Sequence, residues 1–122
     1  MSSTDAVATA MALGNAVHGR MIFNTAKQTD NGSWACSICH SVTPDQFRVI
    51  GPGLWNISVR GANLVSGENA VEYIRESIVD PNAFIAPADP AYPSNLMPSN
   101  YGLVLSPQDL NDVIAYLLTL HN

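Results

Sequence analysis

The sequence predicts an all-α domain of three to five helices joined by long loops. Three observations carry that reading. After Ser106, the residues Leu110, Val113, Ile114, Leu117 and Leu118 recur at the spacing of one helix face, and Ala70, Tyr73, Ile74 and Ile78 repeat the pattern earlier in the chain. No stretch sustains the two-residue period of strands or the strand-helix alternation of a parallel sheet. Eight Gly and eight Pro punctuate the intervals, so the elements are short and their connections long.

At 122 residues the chain is read as one domain, 1–122, of a size that buries roughly two-thirds of its unfolded surface. A prosthetic group at its centre would add apolar contact. Hydrophobic residues at 47% against 12% charged mark a globular chain, with no internal repeat or low-complexity run.

The opening "MSSTDAVATAMALGNA" lacks a basic start and a continuous apolar run, so it reads as neither a signal peptide nor a span, and the chain reads as mature or truncated. Residues 1–14 are an extension or the start of a helix from about Ala6 to Phe23. That helix would carry Leu13, Val17 and Met21 on one stripe, with Met11 and Met21 as core fillers. Gly14 and Gly19 weaken it, and a glycine kept inside a helix marks close packing. Residues 27–33, "KQTDNGS", form a polar turn or hairpin tip. From Val42 to Gly67 the chain is punctuated by Pro44, "GPG" at 51–53 and Gly61. A helix from about Asn69 to Val79 is stopped by Asp80-Pro81. Pro87, Pro90, Pro93 and Pro98 then stiffen an irregular loop. In the last helix Ser106 is the cap, Pro107 takes the first turn, and Asp109 completes a start like a capping box.

The formal net charge is -5, and Arg20, Lys27, Arg48, Arg60 and Arg75 are scattered. A nucleic-acid footprint is therefore excluded, and a partner docked by charge should be basic or largely apolar. No stretch approaches a membrane span.

Both cysteines lie in "WACSICHSV", residues 34–42. As a haem anchor, each thiol of Cys36-x-x-Cys39 adds to one vinyl group, and His40 is placed beneath the iron. As a redox dithiol the pair lacks the preceding strand of a βαβ setting, and His40 is unexplained. As a zinc site the three residues need a fourth ligand, from His18 or His121, and no second closely spaced pair exists. Chance coincidence of a short motif is the fourth reading.

If haem binds, a thioether suits the sixth position, because a weak donor raises the potential. Met97 follows His40 by 57 residues in "SNLMPSNYG", where Pro98 restricts it to an extended conformation. Core filling is the plain alternative. Gly51-Pro52-Gly53-Leu54 would suit the proximal side, with the Pro52 carbonyl accepting the Nδ1 hydrogen of His40; alone it is a turn. Trp34, Trp55, Tyr73, Tyr92, Tyr101 and Arg60 can pack around a porphyrin or bind its propionates, and each serves equally in a core or on a surface.

From about Gly19 to Leu120 the chain resembles class I cytochrome c. Gly19-Arg-Met-Ile-Phe23 is similar to the family's N-terminal helix motif, Cys36-Ser-Ile-Cys39-His40 to its haem attachment, and Gly51 to Leu54 to its proximal loop. Met97-Pro98 is similar to its distal ligand, and "DVIAYLLTL" to its C-terminal helix. "YIRESIVDPNAFI" and "NLMPSNYG" look like membrane-associated monohaem cytochromes of bacterial respiratory chains, including the domain fused to subunit II of haem-copper oxidases. Two departures stand out: Cys36 follows Phe23 by 13 positions, which makes 27–33 an insertion, and Asn56 stands where relatives often have glycine.

The resemblance implies the class I cytochrome c fold around one covalent haem c. Cys36 and Cys39 would be its thioethers and His40 and Met97 the axial ligands, with Pro52, Leu54, Trp55, Arg60 and Tyr73 against the porphyrin or its propionates. It places Gly19 against Tyr116. It implies one-electron transfer rather than catalysis, as a carrier or as a domain of a larger oxidase or reductase in a respiratory or photosynthetic chain. Redox proteins would be the partners, a haem-copper oxidase or quinol-oxidising complex among them, and the location periplasmic. Without Met97 ligation the implied protein is a five-coordinate peroxidase or gas binder; without haem, a zinc-stabilised interaction module.

Overall fold

A computed structural model describes residues 2–122. Helix α1 spans Ser3–Leu13 and α2 spans Ala16–Phe23, followed by a hairpin of β1 (Lys27–Thr29) and β2 (Gly32–Trp34). Next come α3 (Cys36–Cys39), α4 (Ile57–Arg60) with a 3₁₀ turn at Gly61–Asn63, α5 (Ala70–Val79), α6 (Tyr101–Val104) and α7 (Pro107–Leu118). Among the described residues only α1, α2, α5 and α7 reach eight residues.

Helix α7 begins where the sequence places it. The Ser106 hydroxyl accepts the Asp109 N–H at 3.0 Å, and Pro107 fills a first-turn position whose N–H would have no helical partner. The reciprocal capping box forms at α5 instead, where Asn69 and Glu72 exchange side-chain bonds of 2.9 and 3.0 Å.

The single N-terminal helix is broken. Gly14 is extended, and the Asn15 side chain caps a new helix by accepting the His18 N–H at 3.0 Å. The expected stripe is also reversed: Leu13 is 61% exposed, Val17 84% and Met21 58%, so neither Met21 nor the 39%-exposed Met11 fills the core. Gly19, Ile22 and Phe23 face inward instead. The reason is that α2 packs mainly on α7, and Gly19 sets the face. A Cβ at Gly19 would lie 2.9 Å from the Tyr116 Cβ, so only glycine lets the two backbones cross there. Beside the crossing the Phe23 and Tyr116 rings meet edge to face at 5.4 Å.

Residues 27–33 form most of an antiparallel hairpin, with Lys27 opposite Trp34, so the chain is not wholly α-helical. Its turn bonds to itself, the Thr29 hydroxyl donating to the Gly32 carbonyl at 2.7 Å. The core joins α1, α2, α5, α6 and α7, with Phe23, Val113 and Ile114 among its most buried side chains. No helix among the described residues is long and apolar enough to cross a membrane.

Candidate functional site

The cysteine segment is one turn of helix. Its last N–H bond runs from His40 to the Cys36 carbonyl at 3.0 Å, and His40 then leaves in an extended conformation. Extended backbone pairs with extended backbone: His40 forms an isolated antiparallel bridge with Arg48, and the Gly51 N–H donates to the Cys39 carbonyl at 2.7 Å. These bonds lay residues 51–54 against the His40 ring.

The ring is fixed from two sides. Its Nδ1–H donates to the Pro52 carbonyl at 2.7 Å, which sets the tautomer and leaves Nε2 with a lone pair and, among the described residues, no protein partner. Gly51 packs flat on it: an added Cβ would stand 2.7 Å from the ring Cε1. Gly51→Ala is therefore expected to cost about 2 kcal/mol through overpacking, because the backbone on one side and the Pro52 bond on the other block relaxation. Urea denaturation checks the value.

Arg60 holds the same loop. Its Nη2 donates to the carbonyls of Gly53 at 2.9 Å and Trp55 at 2.7 Å, and its Nε donates to Trp55 at 3.1 Å. Asn56 adopts the left-handed conformation, φ 62°, which accounts for a position suited to glycine being filled by the side chain that best tolerates it.

A mostly apolar cavity of about 190 Å³ joins these residues. Cys36, Cys39, His40, Pro52, Leu54, Arg60, Tyr73 and Met97 all line it, so residues separated by up to half of the chain come together on one surface. Tyr92 and Tyr101 line it too. Trp55 and Trp34 do not: Trp55 packs against the core, and the Trp34 ring N–H donates to the Asn31 carbonyl within the hairpin. Ile57, Leu64 and Phe84, which carry no chemical motif, complete the walls, Phe84 edge-on to Tyr73 at 5.9 Å. The cavity opens to solvent beside Ile50, Ile85 and Leu96.

Across the mouth, the Arg48 guanidinium lies 4.0 Å above the Tyr92 ring and donates to the Pro90 carbonyl, tying residues 40–51 to the proline-rich loop.

Electrostatics separate the readings of the motif. Burial pushes the Cys36 thiol up to about 11, with Cys39 also raising it and a backbone bond opposing; burial raises Cys39 too. A redox dithiol needs the opposite, a stabilised thiolate. Burial lowers the His40 pKa, opposed by the bond to Pro52, so the ring is held neutral, as a metal ligand must be. For zinc, the required convergence is missing. Among the described residues the one cluster of three metal-ligating side chains is His18, Asp109 and Asp112; Cys36, Cys39 and His40 do not form one. Neither histidine offered as fourth ligand is near: His18 bonds Asp112, and His121 bonds the Asn122 carbonyl.

No protein-family model, curated protein or solved structure matches the chain.

Proposed function

We propose that this chain is a one-electron carrier of the class I cytochrome c type, holding one covalently attached haem c. The observation that carries the reading is a histidine locked through Nδ1, its Nε2 free, on a cavity shared with both cysteines of the motif and with Met97. The residues fit the group: Gly51 and the Pro52 carbonyl hold the His40 ring in place, the thiols are free, and the remaining walls are largely apolar.

In this reading Cys36 and Cys39, both free thiols, would hold the porphyrin through thioether bonds. His40 supplies Nε2, made more basic by the Nδ1–H bond to Pro52. Met97 supplies a weak thioether donor. The haem iron, cycling between ferric and ferrous, supplies the redox chemistry. With His40 and Met97 both as donors, the group would supply electron transfer rather than substrate chemistry. Ile50, Ile85 and Leu96 line the cavity and are each more than a third exposed, giving an apolar rim through which an electron could reach a partner. That rim, with a net charge of -5, suits a redox protein with a basic or apolar face. A haem-copper oxidase or quinol-oxidising complex at the periplasmic side is the partner class we propose.

The test is direct. Protein matured with haem-attachment machinery should stain for haem peroxidase activity after denaturing electrophoresis, and Cys36→Ala with Cys39→Ala should abolish the stain. The ferric protein should show the weak methionine-to-iron charge-transfer absorption, lost in Met97→Ala. An unstained band with bound zinc would sink the reading; a stained band without that absorption would make the protein a five-coordinate peroxidase or gas binder.

A further inference from the structure

The hairpin inserted before the cysteine segment reaches the chain just beyond Met97. Two bonds make the contact: the Asn100 Oδ1 accepts the Asp30 N–H at 3.1 Å, and the Tyr101 hydroxyl donates to the Trp34 carbonyl at 3.0 Å. Asn100 occupies the N-cap position of α6, where an asparagine would ordinarily bond its own helix, yet its side chain makes no capping bond and crosses to the hairpin instead. Tyr101 is 4% exposed, and burial, then the neighbouring cysteines, push its phenol up to about 12, so it stays a donor.

We propose that the β1–β2 hairpin is a tether that holds the Met97 sulfur in place, with Asn100 and Tyr101 as its positioning residues. This rests on Met97 being an axial ligand. The hairpin is well suited to the task. Its turn is closed by Thr29 and its Trp34 ring is bonded to Asn31, so it is stiff; and Trp34 runs through the buried Ala35 directly into Cys36. With both cysteines attached to the porphyrin, the hairpin is fixed relative to the iron. Only Pro98 and Ser99 separate Met97 from the tethered residues, and the proline ring limits their freedom. The insertion thus links the covalent anchor to the distal ligand, and loosening it frees the methionine loop without touching either.

Imidazole titration of the ferric holoprotein, followed by loss of the methionine charge-transfer absorption, tests this. Imidazole binds only when Met97 has left the iron, so its apparent affinity scales with the fraction of open loop. Tyr101→Phe keeps the ring and removes the bond, and Asn100→Leu removes the other. Each should tighten apparent imidazole binding several-fold and the double variant about tenfold, the range that lost hydrogen bonds allow. Asn100→Asp, which keeps an acceptor oxygen, should restore near wild-type affinity. Ile114→Val, a destabilising change in the buried face of α7, should leave it unchanged. Equal imidazole affinities in wild type and the double variant, with the absorption present in both, would overturn the tether alone. Absence of the absorption in wild type would overturn the Met97 assignment and the tether together.

Discussion

Gly19→Val is expected to remove about 3 kcal/mol of stability, the upper end for overpacking, from a domain whose total is on the order of 5–15 kcal/mol. The cost arises at the α2–α7 crossing. The Tyr116 Cβ, 2.9 Å from the position a Cβ would take at residue 19, belongs to a helix whose residues 112–118 are all buried. Neither it nor the adjacent Asp112 carbonyl can swing aside as a flexible side-chain tip would. The helices must part, and the Phe23–Tyr116 contact opens with them. The better intrinsic helix propensity of valine offsets only a few tenths of a kcal/mol. Urea denaturation should show a lower midpoint with an unchanged slope, and Gly19→Ala should fall between. Equal midpoints for all three proteins would mean that the helices do not cross at this residue.

What the sequence made legible follows the range of the interactions involved. Helix α7 is announced by local chemistry, since Ser106, Pro107 and the apolar stripe act within a dozen residues, and α5 likewise ends before its Asp-Pro pair. The His40–Pro52 bond was also accessible, because the two partners are only twelve positions apart with a turn between them. The break at Gly14–Asn15 was not, because a glycine and an asparagine inside an apolar run are equally compatible with a weak helix and with a cap. Nor could periodicity choose between two stripes on α2: Val17 and Met21 lie on the more apolar one, yet Gly19 faces α7, and a missing side chain carries no hydropathy signal. Arg60 illustrates a different limit. A lone arginine beside an apolar site suits several partners equally, so its bonds to the carbonyls of Gly53 and Trp55 carried no signal. Asn100 was silent because its partner Asp30 is 70 residues away.

Asp112 is the residue that sequence reasoning most plainly missed, and its removal is expected to cost about as much as the glycine substitution. It lies amid the α7 stripe, 3% exposed. One carboxylate oxygen accepts the Asn15 N–H and the Gln108 side-chain amide, each at 2.8 Å, and the other accepts the His18 Nδ1–H at 2.7 Å. It thus ties the start of α2 to α7 at the helix pair that Gly19 brings together. Asp112→Ala removes the acceptor for a part-buried backbone donor as well as two side-chain bonds, an expected loss of about 3 kcal/mol at neutral pH for bonds to a charged group. The loss should depend on pH in one direction. Burial by itself raises the Asp112 pKa, but the bonds from His18, the Asn15 N–H and Gln108 outweigh it, and the carboxyl is held below its ordinary value. The unfolded chain therefore takes up this proton first as the solution is acidified. The stabilisation is complete above the unfolded carboxylate value of about 3.9 and disappears as the pH falls through the lower folded value. Urea denaturation of wild type and Asp112→Ala at pH 7 and in steps below pH 4 should show the gap between them wide at neutral pH and closing in acid. A gap of constant width would mean that packing, rather than the ionised carboxylate, makes the difference.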